Sequence, residues 1–141
     1  LYGDYHEELR EAFRRFLANE VTPNFEQWEL DGIVPREVFA AAGANGFLGM
    51  QGPEEYGGAE MGDDFRSNAV IGEECFAAGL GGFGVGLTLH NDVCLPYFLE
   101  YCTEEQRERW LPGIVSGDLI TAVAMTEPLS LIHISEPTRP Y

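Results

Sequence analysis

Lysine is absent from this chain: all eight basic side chains are arginine, set against 24 acidic ones. The resulting formal charge of −16 repels phosphate backbones and anionic lipid alike, which argues against nucleic acid and membrane surfaces as partners. No stretch approaches the roughly 18 consecutive apolar residues that a membrane-spanning helix needs. The opening Leu1-Tyr2-Gly3-Asp4 has neither the basic flank nor the apolar core of a secretory signal, and the expectation is a cytoplasmic protein. An initiating methionine is also missing, so the beginning is expected to be cut. Cysteine is scarce. Cys75, Cys94 and Cys102 form no Cys-x-x-Cys pair, which fits buried reduced thiols and offers neither a disulfide framework nor a zinc site.

What is present is core-forming material. Hydrophobic residues make up 45% of the 141 positions, with nine Phe, six Tyr and two Trp, enough for one domain that buries roughly two thirds of its unfolded surface. Apolar residues recur at helical spacing in Leu9, Ala12, Phe13, Phe16, Leu17 and Val21, and Asp4 with Glu7 reads as a capping box opening that first helix. Thr22-Pro23 bends or restarts it, and Phe25 and Trp28 carry the apolar face to a stop at Asp31-Gly32. A second helix is expected over Arg36 to Ala44, ended by Asn45-Gly46. A glycine-rich loop follows over Phe47 to Met61, and a third helix carries Phe65, Ala69, Gly72 and Phe76 on one stripe.

Gly79-Leu80-Gly81-Gly82-Phe83-Gly84 matches the Gly-x-Gly-x-x-Gly dinucleotide fingerprint in letters only. That fingerprint needs a strand before it and an acidic residue in a second strand after it, whereas Ala69 to Ala78 has helical periodicity. The expectation is a flexible connection, then a helix over Leu87 to Tyr101 interrupted by Pro96. Thr103-Glu104-Glu105-Gln106 is a second capping box, opening a short helix that Leu111-Pro112 ends. Ser116-Gly117-Asp118 turns the chain into Leu119 to Pro128, which alternates as a strand apolar on both faces.

The order of helices, Pro53-Glu54-Glu55-Tyr56-Gly57-Gly58, the stretch from Thr103 to Pro112, Ser116-Gly117-Asp118 and above all Ala124-Met125-Thr126-Glu127-Pro128 resemble the amino-terminal part of the acyl-CoA dehydrogenases. The resemblance covers nearly all of residues 4–128. It implies a mostly α fold: an amino-terminal helical domain over residues 1–117, then the first strand of a truncated β domain over 118–128. The family motif continues after Thr-Glu-Pro as Gly-Ala-Gly-Ser-Asp. Here Leu129 to Tyr141 departs from it and resembles a translated sequencing adaptor, so residues 129–141 are expected to be a non-native tail.

The resemblance implies an FAD enzyme that takes a proton from the carbon beside an acyl thioester and a hydride from the next carbon, leaving an enoyl-CoA. A glutamate serves as base, hydrogen bonds to the thioester carbonyl stabilise the developing charge, and flavin takes the hydride. In the family that glutamate lies in the carboxy-terminal part, so no catalytic residue is assigned here, and the fragment alone is expected to be inactive. Val123, Met125 and Thr126 are the implied flavin contacts, and Phe76, Leu87, Leu89 and Leu95 the implied acyl-pocket residues. Implied partners are an acyl-CoA substrate and an electron-transfer flavoprotein or similar acceptor, with a homotetrameric parent. A two-component flavin monooxygenase of the same fold and a non-enzymatic helical interaction module are the alternative readings.

Other constellations carry less. His90 and Cys94, four apart on a helix, lack a third ligand or orienting group, so no metal is assigned. Glu54-Glu55, Asp63-Asp64, Glu73-Glu74 and Glu104-Glu105 are adjacent in sequence and do not converge on one substrate atom; they read as solvated faces and helix amino-terminal charges. Ser130, His133 and Glu136 fall in the tail and receive no role.

Overall fold

The computed structural model describes residues 1–62 and 64–124, and these are helical, with no strand among the described residues. Seven α-helices run through them: α1 (Asp4–Phe16), α2 (Phe25–Asp31), α3 (Arg36–Ala44), α4 (Arg66–Ala77), α5 (Gly81–Thr88), α6 (Leu95–Tyr101) and α7 (Glu104–Ser116). Two wide π-helical turns extend α1 and join α5 to α6, over Leu17–Val21 and Leu89–Cys94.

The amphipathic stripe of α1 buries Phe13 and Phe16, and the following π turn buries Leu17 and Val21. Phe13 meets Phe47 edge to face at 4.9 Å, and Phe16 lies 5.3 Å from the same ring. Burial of each such side chain contributes about 1.5–3 kcal/mol, far more than the surface ion pairs of this helix. Asp4 stands inside the first turn and does not cap it: the cap is Gly3, whose N–H donates to His6 Nδ1 at 3.2 Å. His6 is nearly buried beside Tyr2 and Tyr5, so its ring is held where it can reach back.

Helix α4 packs between α1 and α5, and the face it buries differs from the expected stripe. Phe65 and Phe76 point outward at 57% and 61% exposure, while Val70, Ile71, Glu74 and Cys75 face in. The inward carboxylate explains the rotation. Glu74 accepts from Arg10 Nη1 and Arg14 Nε, each at 2.5 Å, so the charge is neutralised where it is buried.

The expected flexible connection after Gly79 is instead helix α5. Glycine disfavours a helix by about 1 kcal/mol per residue, but here it permits contact: a methyl at Gly84 would lie 2.7 Å from Cys75 Cβ. Phe83 and Leu87 are buried by that approach. Pro96 does not interrupt the next helix; it stands in the first turn of α6, directly after the wide turn.

Helix α7 opens on the expected capping box, Thr103 Oγ1 accepting from Gln106 N–H and Gln106 Oε1 from Thr103 N–H. It does not stop at Pro112 but runs on to Ser116. Proline removes one helical hydrogen bond, and burial of Leu111, Ile114 and Val115 outweighs that loss. Gly117 ends the helix at φ +80, and a Cβ there would overlap the Phe39 carbonyl, so α3 and the end of α7 touch backbone to backbone.

The core has two parts. The larger gathers residues from α1, α3, α4 and α5 with the loop residues Phe47, Leu48 and Met50. The smaller is Leu95, Leu111 and Ile114, walled by Tyr56, Phe98, Leu99 and Trp110. A third apolar feature lies outside both: Val85, Val93, Tyr97 and Tyr101 are exposed, and half-buried Leu89 completes a row at four-residue spacing along α5, the π turn and α6.

Candidate functional site

The π turn Leu89–Cys94 places three consecutive polar side chains, His90, Asn91 and Asp92, against three different segments. His90 is fully buried and its Nε2 lies 2.9 Å from the Ile114 carbonyl at the end of α7. A carbonyl can only accept, so Nε2 carries the proton and Nδ1 is left as an acceptor. Thr121 donates to that acceptor with both its N–H, at 3.3 Å, and its hydroxyl, at 2.9 Å. Burial pushes the imidazole below its ordinary value of 6.5, opposed by the Ile114 hydrogen bond, so the ring is neutral.

Asn91, also buried, donates to the Phe47 carbonyl at 2.9 Å and accepts from Gly49 N–H at 3.0 Å. It thereby pins the entrance of the glycine-rich loop. Asp92 accepts from Asn68 Nδ2 of α4, and Asn68 in turn accepts from Gln51 of the loop. Burial raises the Asp92 carboxyl, and the Asn68 hydrogen bond works against that rise.

These contacts fix the segment that leaves the helices. Arg36 Nη2 donates to the Asp118 carbonyl at 2.8 Å, Leu119 N–H to the Gly113 carbonyl at 2.9 Å, and Thr121 is held by His90. Residues 119–124 form no strand, which corrects the expectation for the described part of Leu119 to Pro128. A strand exists only by pairing, and among the described residues nothing pairs with this segment. Its Ala122 and Ala124 are exposed, its Val123 is half-buried, and these three amides have no backbone partner among the described residues. Beside it, Phe98, Trp110, Ile114, Ile120 and Ala122 line an open, largely apolar groove of about 410 Å³.

Val123 therefore sits on the segment that His90 anchors, while Met125 and Thr126 lie outside the described residues. The four expected pocket residues do not converge. Leu87 is buried in the larger core and Leu95 in the smaller, Phe76 projects from α4 at 61% exposure, and Leu89 belongs to the exposed row. Among the described residues no group of three His, Cys, Asp or Glu side chains gathers as a metal site; His90 and Cys94 are both buried, and His90 is committed to Ile114 and Thr121. The roles of Asn91, Asp92 and Thr121 were not read from the sequence. The available signal was three consecutive polar residues inside the otherwise apolar Leu87 to Leu95.

No helix among the described residues is long and apolar enough to cross a membrane. The mouse mitochondrial long-chain specific acyl-CoA dehydrogenase is 41% identical over 128 residues, 91% of this chain and 29% of its own length. The crystal structure of an acyl-CoA dehydrogenase from Geobacillus kaustophilus superposes with a TM-score of 0.82 at 46% identity, covering 90% of this chain and 32% of that one. An acyl-CoA dehydrogenase complexed with FAD from Bacillus anthracis gives 0.77 at 33% identity, over 92% of this chain and 22% of that one. The chain thus spans about a third or less of the length of these relatives. The family model of the acyl-CoA dehydrogenase N-terminal domain matches residues 3–118, the same residues that build the two cores and deliver the anchored segment, and the chain belongs to the acyl-CoA dehydrogenase family.

Proposed function

We propose that this chain is the amino-terminal helical part of an FAD-dependent acyl-CoA dehydrogenase, one that oxidises an acyl-CoA thioester to the 2,3-enoyl-CoA. The observation that carries the reading is the segment Leu119–Ala124, held at Thr121 by a buried histidine and presenting small side chains and amides without backbone partners among the described residues. A flat, polar-edged ring fits such a surface: exposed Ala122 and Ala124 leave room for it, and backbone N–H groups meet its edge. Bound there, FAD would supply the hydride acceptor, and it is the group with which the Bacillus anthracis relative is complexed.

The roles of this chain's residues follow from where they stand. Val123 would pack an apolar side chain against the flavin, and Met125 and Thr126 are proposed to continue the contact. An acyl chain touches only what solvent can reach, so exposed Phe76 and half-buried Leu89 are proposed to meet the substrate from separate elements, while Leu87 and Leu95 are proposed to act through the two cores behind them. No residue here is assigned as the base that takes the α-proton; it belongs to the remainder of the longer protein. Acyl-CoA is the substrate, an electron-transfer flavoprotein or similar acceptor reoxidises the flavin, the parent is a homotetramer, and the location is cytoplasmic. Alone, residues 1–141 neither hold FAD tightly nor turn over substrate.

The experiment is to read the source DNA across the codons for residues 126–141 without the adaptor, and to express the continuous frame. A yellow protein that forms enoyl-CoA with an artificial electron acceptor is the expected result. Oxygen-dependent hydroxylation by supplied reduced flavin would replace this reading with the monooxygenase. A stop codon after Tyr141 and a colourless protein would leave the interaction module.

A further inference from the structure

We infer that His90 is the positioning residue of the flavin-facing segment: its Nδ1 sets where Thr121 lies, while its Nε2–H ties the ring to α7. Only the functional consequence rests on the flavin reading; the clamp itself stands on geometry. The segment has few other ties. Among the described residues its backbone makes one further hydrogen bond, from Leu119 N–H to the Gly113 carbonyl, so its position beyond Ile120 depends on the two contacts to His90.

Those contacts are directional. The imidazole is excluded from water at 0% exposure and Thr121 is half-buried, so solvent reaches the acceptor only from the Thr121 side and an unpaired Nδ1 is costly. Rotation of the ring is opposed at both ends, by the Ile114 carbonyl at 2.9 Å on one nitrogen and Thr121 on the other. Phe39 lies against it with ring centres 6.5 Å apart. The Thr121 hydroxyl can turn its hydrogen towards Nδ1, and the Thr121 amide points the same way, so one acceptor fixes both the backbone and the side chain of a single residue. Val123 follows two residues later. The segment is therefore presented in place by the helices before any ring lies against it, which spares the ordering cost that a loose segment incurs on binding.

The test uses the 141-residue chain and two variants that divide the histidine. His90→Asn keeps an acceptor near the Nδ1 position and cannot reach Ile114; His90→Gln keeps a donor near Nε2 and offers nothing at Nδ1. Amide hydrogen exchange is measured at Thr121 and, as internal reference, at Ile71 of the core. The expected result is that His90→Gln exposes the Thr121 amide by about five- to tenfold beyond any change at Ile71, and that His90→Asn restores most of that protection. Equal loss in both variants, tracking Ile71, would show that His90 only fills space and would overturn the inference; so would unchanged protection in His90→Gln.

Should both variants fail to fold, the unmodified chain decides. Long-range proton–nitrogen NMR of its imidazoles must show His90 protonated at Nε2 and bare at Nδ1, and the opposite tautomer overturns the clamp. Neither measurement involves flavin. A colourless long-frame protein would remove the flavin reading and leave the Thr121 result standing, whereas a failed Thr121 result would remove the clamp and leave the flavin reading intact.

Discussion

Glu74 of α4 holds the Arg10 guanidinium of α1 at 2.5 Å from a position only 5% exposed. Arg14 approaches the other carboxylate oxygen, also at 2.5 Å, and Arg10 reaches Glu73 at 2.9 Å as well. One buried acid thus joins two helices through two bases on successive turns of α1.

Removing that acid leaves Arg10, itself largely buried, without its main partner. Glu74→Gln is expected to lower stability by about 3 kcal/mol at neutral pH, the scale for breaking one side of a buried pair. Burial alone would raise the Glu74 carboxyl, but hydrogen bonds from Arg14 and Arg10 and their charges hold it below its ordinary 4.5. A lowered carboxyl contributes stability that is full above the unfolded value and lost as pH falls through the folded one. Urea unfolding from pH 7 down to pH 3 should therefore show the gap between wild type and Glu74→Gln constant near neutrality and closing below about pH 4.5.

Two glycines in adjacent helices should respond in opposite directions to the same change. At Gly84 the new methyl would meet Cys75 Cβ at 2.7 Å, so Gly84→Ala is expected to cost about 1–3 kcal/mol through overpacking. At Gly72 the nearest atom is Thr88 Cγ2 at 3.8 Å, an ordinary contact. Gly72→Ala should stabilise by about 0.5–1 kcal/mol through helix propensity. Thermal melts of the two variants check both signs.

Among the four leucine and phenylalanine positions discussed as pocket residues, stability separates support from surface. Leu87→Ala and Leu95→Ala, at 0% exposure, should each cost about 2–5 kcal/mol. Phe76→Ala, which removes a side chain at 61% exposure, should stay within about 0.5 kcal/mol. If the continuous frame encodes the proposed dehydrogenase, the same Phe76 change should raise KM for acyl-CoA.

Thiol chemistry gives an independent reading of burial. Burial, with a smaller contribution from Glu74, pushes the Cys75 thiol up to about 12, so it is protonated at pH 8 and shielded, and Cys94 is buried too. Only half-buried Cys102 should react quickly with an aromatic disulfide reagent in the native protein. In urea all three should react, and early release of three equivalents from native protein would contradict this packing.

What the sequence disclosed were features encoded locally. The Thr103–Gln106 box, the bounds of α3 and the apolar stripe of α1 all lie within a few residues of their causes. What it concealed depended on partners far along the chain. Glu74 reads as a surface charge until Arg10 and Arg14 stand beside it, which is why the buried face of α4 was misread. The glycines of α5 read as a loop until Cys75 needs the space they leave, and Pro112 reads as a stop until Ile114 and Val115 are seen to be buried. The strand expected after Asp118 failed within the described residues because pairing, not alternation, makes a strand. Of the candidate site, Val123 lies on the segment that His90 anchors, but His90 and Thr121 are 31 residues apart and no local pattern joins them.

The row Val85, Leu89, Val93, Tyr97 and Tyr101 advances by four residues at every step. In an α-helix of 3.6 residues per turn, each such step overshoots a full turn by about 40°, so a row of five would wind well around the axis. A π turn closes over more residues, and there the same step falls short. The wide turn at Leu89–Cys94, placed at the middle of the row, thus offsets part of the drift. The deviation that sends His90, Asn91 and Asp92 inward thereby also lessens the winding of this rib on the outer side. Deleting one residue from that turn would set the two ends of the rib out of phase by about 100°.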